Sequence, residues 1–163
     1  MKTKKTSKFA GGVLAVKSGK IFEKQMIPIF EEAGYAVINA SNEKSSSPEK
    51  RVVKNAPYIT SYGTKGKTEY VIKNGKRAIR VEAKHQTSNG SVDEKFPYLW
   101  DNAVNSYPEK EVILVVDGGG YRAAARQWLQ NAIDNNRDNY KEKGKVIKLM
   151  TMDEFASWCI NEL

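Results

Sequence analysis

The segment KTEYVIKNGKRAIRVEAKHQ, residues 67–86, restricts the possible folds more than any other part of the chain. Two strand-like runs flank Asn74-Gly75, a dipeptide that favours a two-residue hairpin loop because both positions tolerate positive φ. Centring the loop on those two residues sets Lys73 against Lys76 and Glu69 against Arg80. Residues directly opposite in a hairpin share a face. The strand period of two then places Arg80, Glu82, Lys84 and Gln86 with Glu69, and Ile79, Val81 and Ala83 on the other side. Two carboxylates and a lysine converge in this way, unless a bulge moves Glu69 across the sheet.

Around the hairpin, helical and strand patterns alternate. Phe22, Met26, Ile29, Phe30 and Ala33 share one face of a helix starting near Ser18. Gly34 is its stop, and Pro28 inside it allows a kink or a late start. Tyr35 to Ile38 reads as a short strand. Residues 39–57 are polar and basic with little periodicity and read as a long loop, which in a compact domain is often mobile or a binding element. After the hairpin, Leu99, Trp100, Ala103, Val104 and Tyr107 form an apolar helix face. Ser91 with Glu94 offers a capping box for it, and Pro97 an equal case for a start near Phe96.

Val112 to Val116 are apolar on both faces, as a central strand covered by helices requires. They run into Asp117-Gly118-Gly119-Gly120, whose spacing fits neither a dinucleotide fingerprint nor a Walker A loop. A tight strand-to-helix turn is the plain reading, and backbone contact with a phosphate the other. Ala124, Ala125, Trp128, Leu129, Ala132 and Ile133 mark an amphipathic helix, with Trp128 in the core. Lys145 to Leu149 give a further strand. Thr151 with Glu154 caps a last helix through Phe155, Trp158 and Cys159, where a buried thiol is expected rather than a nucleophile.

These patterns predict one α/β domain, a mixed central β-sheet flanked by helices, over residues 18–163, preceded by a basic arm over 1–17. A length of 163 residues matches one hydrophobic core. One cysteine excludes an internal disulfide and a cysteine-cluster zinc site. Lys17, Lys20, Glu23 and Lys24 interrupt any apolar run behind the basic N-terminus, and no stretch has membrane-spanning length. No membrane association is expected, and the expected location is the cytoplasm of a bacterial cell or of a phage-infected host. Lys and Arg number 27 against 19 Asp and Glu, a net charge of +8 that favours a polyanionic partner. Lys44, Lys50, Arg51 and Lys54 in the long loop are candidate phosphate contacts.

Phosphodiester cleavage needs an activated water, charge stabilisation around phosphorus and departure of an oxyanion. Clustered carboxylates can bind one or two Mg²⁺ ions that serve all three needs, and a nearby lysine can align the water or stabilise the transition state. Glu69, Glu82 and Lys84 supply that set. Gln86 is a candidate orienting group, and the Ala83 carbonyl, flanked by active-site side chains, a further metal ligand. Arg80 can offset carboxylate repulsion, contact a phosphate, or form a surface ion pair with Glu69. Parity puts His85 opposite Glu82 and Lys84, which favours a structural or groove-facing role over a general base.

The stretch RVEAKHQTSNGSVDEKFPYLWDNA followed by EVILVVDGGG resembles the PD-(D/E)XK nuclease superfamily, in particular small restriction-endonuclease-like domains of bacterial or phage type. The residues carrying the resemblance are Glu69 at the first acidic position, the Glu82-Ala83-Lys84 triplet, and Gln86. It implies a restriction-endonuclease-like core and a Mg²⁺-dependent DNA endonuclease, with Mn²⁺ as a substitute, in which Glu69 and Glu82 hold metal and Lys84 assists the nucleophile or the transition state. Here Glu69 stands where the family usually has Asp, with no Pro-Asp dipeptide before the hairpin. Some superfamily members carry a helix-borne acid near the metals, a part Glu23 could take. DNA is the expected partner, and a homodimer or higher homo-oligomer follows from cutting two strands with one site per copy. A structure-selective junction resolvase, a homing-type nuclease and a catalytically silent DNA-binding module are the alternatives.

Overall fold

The computed structural model describes residues 7–86 and 92–163, with side chains in the first helix from Lys20 onward. The chain folds into a six-stranded mixed sheet with helices on both faces. The strands are β1 (Ala36–Asn39), β2 (Lys50–Ile59), β3 (Lys65–Asn74), β4 (Arg77–His85), β5 (Glu111–Asp117) and β6 (Val146–Met150), and they lie side by side in chain order. β2, β3 and β4 form an antiparallel meander. β1 joins β2, and β5 and β6 join β4, in parallel. The helices are α1 (Ser7–Glu32), α2 (Phe96–Asp101), α3 (Ala123–Asp134) and α4 (Met152–Glu162).

The apolar side chains sort into two layers. On one face Phe22, Met26 and Phe30 of α1 and Phe155 and Cys159 of α4 cover Tyr70, Ile72, Ile79, Val81, Ile113 and Val115. On the other, Phe96, Leu99 and Trp100 of α2 and Leu129 and Ala132 of α3 cover Val112, Leu114 and Val116. β5 is apolar on both faces because both are covered. Burial raises the Cys159 thiol to about 12, which leaves it protonated and inert. Among the described residues, no helix is long and apolar enough to cross a membrane.

Several boundaries differ from the sequence expectation. α1 reaches back to Ser7, so residues 7–17 of the expected arm are helical, and the helix runs through Pro28. No proline interrupts residues 7–27, and once the Phe22–Phe30 face is anchored each further residue adds one backbone bond. Gly34, at φ 84, ends the helix as expected, with the Tyr35 N–H donating to Phe30 O at 2.9 Å. The long loop is half its expected length, because residues from Lys50 onward form β2. The helix after the hairpin starts at Phe96 with Pro97 in its first turn and passes into a π-helical turn, Asn102–Ser106. Ser91 of the alternative capping box lies outside the described residues, whereas the Thr151–Glu154 box on α4 is formed.

The β3–β4 register also differs. Asn74 pairs with Arg77, Ile72 with Ile79 and Val71 with Arg80, so the two-residue loop is Gly75-Lys76. Gly75, at φ 58, occupies the first loop position, where a type II′ turn requires glycine. Glu69 is therefore not opposite Arg80. A shift of two residues preserves every face, whereas a shift of one would have inverted them.

Candidate active site

The site forms where β3 and β4 part. Their ladder ends at Tyr70–Val81, while β4 continues to pair with β5 as far as His85–Asp117. At the point of parting the neighbouring strand β2 leaves the extended conformation. Lys54 pairs with Tyr70 and Ala56 with Thr68, and Asn55 between them adopts a left-handed conformation at φ 53 across from Glu69. The faces exchange there. The Tyr70 ring meets Phe30 of α1 at 5.1 Å, yet Thr68, two residues earlier, accepts a hydrogen bond from Arg80 on the opposite face. Glu69 sits at the crossing, and its carboxylate replaces the missing strand as acceptor for the Ala83 N–H, at 2.6 Å. The N–H and C=O of one strand residue point the same way, so the Ala83 carbonyl faces the same opening.

Glu82 and Lys84 project from β4 on the side of Tyr58 and Tyr107 and form an ion pair. Glu82 is buried, and its Oε2 atom has no hydrogen-bond partner among the described residues. Burial first, and the Glu69 carboxylate second, push the Glu82 carboxyl up to about 7. Burial alone would lower Lys84, but the charges of Glu82 and Glu69 outweigh it and hold its ammonium above the ordinary value. Both partners rise because one cation stands between two carboxylates, so the cluster as a whole favours an extra positive charge, whether a proton or a metal ion. Among the described residues, no three His, Cys, Asp or Glu side chains converge into a metal cage. Two carboxylates and a carbonyl, with one carboxylate oxygen unsatisfied, fit a hard divalent cation that keeps part of its water shell.

The remaining predicted residues are placed as follows. Glu23 lines a small cleft with Glu69 and is ion-paired with Lys54. His85 lines a cavity of about 200 Å³ on the α1 side with Glu69, Ala83 and Asp117, and its Nδ1 is buried without a partner among the described residues. Gln86 is not free to orient a water, since its amide donates to Gly120 O at 2.9 Å and accepts from Val92 N at 3.0 Å. It ties the end of β4 to the glycine turn, where a Cβ at Gly118 would lie 2.1 Å from Gln86 O. Arg80 contacts neither Glu69 nor solvent. All five of its N–H groups are directed at Glu109, Thr68 and the carbonyls of Ala56 and Pro57, and its guanidinium lies between the Tyr58 and Tyr107 rings at 5.5 and 5.3 Å.

Of the four basic residues assigned to phosphates, Arg51 bonds Glu43 at 2.8 Å, Lys50 reaches Ala33 O and the Tyr35 ring, and Lys54 pairs with Glu23. Lys44 is exposed. The three engaged side chains sit on β2, where α1 and the 40–49 turn supply acceptors. The wall formed by Tyr58, Tyr107, Arg80 and Glu109 carried no local sequence signal, because its members come from three separate segments.

The Glu82 shift has a consequence for stability. Its carboxyl keeps its proton to higher pH in the folded state than in the unfolded one. Between about pH 4.5 and 7 the folded protein therefore holds more protons, and stability falls as pH rises. Below that window the group contributes nothing, and above it the full cost is present, on the order of 3 kcal/mol. Denaturant unfolding in EDTA should show Glu82→Gln gaining stability relative to the wild type from pH 5 to 8. A difference that stays flat with pH would mean that Glu82 is not destabilised as a carboxylate.

Comparison of the chain with curated proteins and with solved structures finds no match. A family model described as the PD-(D/E)XK nuclease superfamily domain matches residues 14–163, from within α1 to the last residue. With that match spanning the whole sheet and the Glu69, Glu82 and Lys84 cluster, the chain belongs to the PD-(D/E)XK nuclease superfamily.

Proposed function

We propose that the protein is a divalent-metal-dependent DNA endonuclease that hydrolyses phosphodiester bonds at the opening between β3 and β4. The observation that carries this reading is the meeting of Glu69, Glu82 and Lys84 around an unsatisfied, buried carboxylate oxygen. Glu69, Glu82 and the Ala83 carbonyl would hold Mg²⁺, or Mn²⁺ in its place, and a bound ion of this kind activates water and neutralises charge on the phosphate.

The chain's own groups supply the rest. Lys84 stays protonated and can donate to a phosphoryl oxygen as charge builds there in the transition state. Half-buried Tyr58 and buried Tyr107, both kept neutral by desolvation and by the Glu82 charge, wall the cluster on the α2 side. The excess of basic residues favours approach of the DNA backbone through contacts that carry no sequence information. One site per copy cuts one strand, so cutting of both strands is assigned to a pair of copies.

Supercoiled plasmid tests this reading. Nicked or linear product is expected with Mg²⁺ or Mn²⁺, and none in EDTA. DNA binding without cleavage across a range of both ions would replace the enzyme with a silent binding module.

A further inference from the structure

The tip of the β2–β3 hairpin presents an aromatic ring that the fold does not use. Tyr62 is 78% exposed. One side of its ring stacks on Tyr98 of α2, at 4.9 Å between centroids and 13° between planes, and the other side faces water. Solvent-exposed tyrosines usually move freely, but this one is held. The tip is closed by hydrogen bonds from Thr60 N to Thr64 O and from Gly63 N to Thr60 O, both 2.8 Å. Buried Asn102 then ties the tip to α2, accepting from the N–H of Ser61, the residue before Tyr62, at 2.9 Å and donating to the carbonyl of Tyr98 at 3.0 Å. Ser61 Oγ and Ser106 Oγ make a second link, at 3.0 Å.

The pair is connected to the candidate active site through Tyr58. Tyr58, four residues before Tyr62, has Tyr98 within electrostatic reach on one side and Glu82 and Lys84 on the other. Its ring lies across Gly66, where a Cβ would approach within 2.9 Å, and on toward Tyr107 at 4.7 Å. Exposed Lys95 stands one helical turn before Tyr98. A rigid, half-open ring next to a phosphate-handling cluster, in a protein of net charge +8, suits a flat π-face attached to a polyanion.

We infer that Tyr62, backed by Tyr98, is a stacking platform for an unpaired nucleobase of the DNA substrate, next to the phosphate being cut. The identity of the ligand rests on the endonuclease reading. Because the ring is already ordered, stacking costs little side-chain entropy, and because every base has a π-face, the contact selects for unpaired or opened DNA rather than for sequence.

The test is fluorescence anisotropy in EDTA with labelled single-stranded DNA of about 20 nucleotides. Tyr62→Ala, which removes a mostly exposed side chain and should melt close to the wild type, is expected to bind roughly 5- to 150-fold more weakly, and Tyr62→Phe to bind as the wild type does. A scan of single abasic sites along the strand should find a position that weakens wild-type binding and leaves Tyr62→Ala unaffected. Equal binding by Tyr62→Ala and wild type, or abasic effects common to both, would overturn the platform. If the wild type cuts plasmid and Tyr62→Ala binds normally, the platform falls and the endonuclease reading stands. If Tyr62-dependent binding appears in a protein that never cuts, the platform stands and the endonuclease reading falls.

Discussion

A Glu82→Gln protein is expected to lose roughly a thousandfold or more of the metal-dependent plasmid cleavage while its DNA affinity in EDTA changes little. The substitution keeps shape and burial but removes one charge from a cluster that holds two carboxylates around one lysine. The retained amide is a weak ligand for a hard cation. Lys84 also loses its strongest partner. A collapsed fold would not account for the loss, because the same change relieves a carboxylate that is costly to ionise and should raise stability at pH 8 in EDTA. Lys84→Met should likewise depress the rate at saturating DNA more than it weakens binding, as expected for a group whose contact strengthens as charge develops. Cleavage by Glu82→Gln within a few-fold of the wild type, with plasmid, metal and pH matched, would take Glu82 out of the chemistry.

The second large effect is expected in stability rather than rate. Arg80→Met should destabilise the protein by about 3–5 kcal/mol. Arg80 is 2% exposed, and its removal strands the Glu109 carboxylate, whose side chain is 11% exposed, together with Thr68 and the carbonyls of Ala56 and Pro57. The cation between Tyr58 and Tyr107 disappears as well. Most of this cost arises from groups left without partners, so adding Glu109→Met should recover a good part of it. Denaturant midpoints for the two single variants and the double variant measure the coupling. An Arg80→Met protein within about 1 kcal/mol of the wild type would show that the guanidinium is replaceable, contrary to its five hydrogen bonds.

That Glu82 and Lys84 share a face was legible because it depends on parity more than on register. The turn centre expected at Asn74-Gly75 was one residue out, which shifts the pairing by two and leaves Glu82 and Lys84 on one face, whereas the exchange of faces opposite Asn55 carries Glu69 to the crossing. β2 was not legible in the same way. Val52 and Val53 are adjacent rather than alternating, Asn55 takes a left-handed conformation, and Pro57 removes a donor. Each of these breaks a strand pattern in one dimension. In the sheet they are tolerated because β1 ends its pairing at Lys54, which leaves Pro57 on an open edge. Gln86 had the right parity for the site, but β4 ends there against the glycine turn, and both ends of its amide are taken by backbone.

Periodicity and turn chemistry in the sequence by themselves determined the α/β class, the order of most elements, the two-sided burial of β5 and the shared face of Glu82 and Lys84, because these features are set by neighbours within a few positions. Only the tertiary structure decided which charges remain available. Arg80 is consumed by Glu109, Lys54 by Glu23 and Arg51 by Glu43, each across eight or more residues, while Glu82 keeps an unsatisfied oxygen. The reason is physical: the free energy of a charge depends on its burial and on what lies within a few ångströms, and those distances exist only after distant segments have packed.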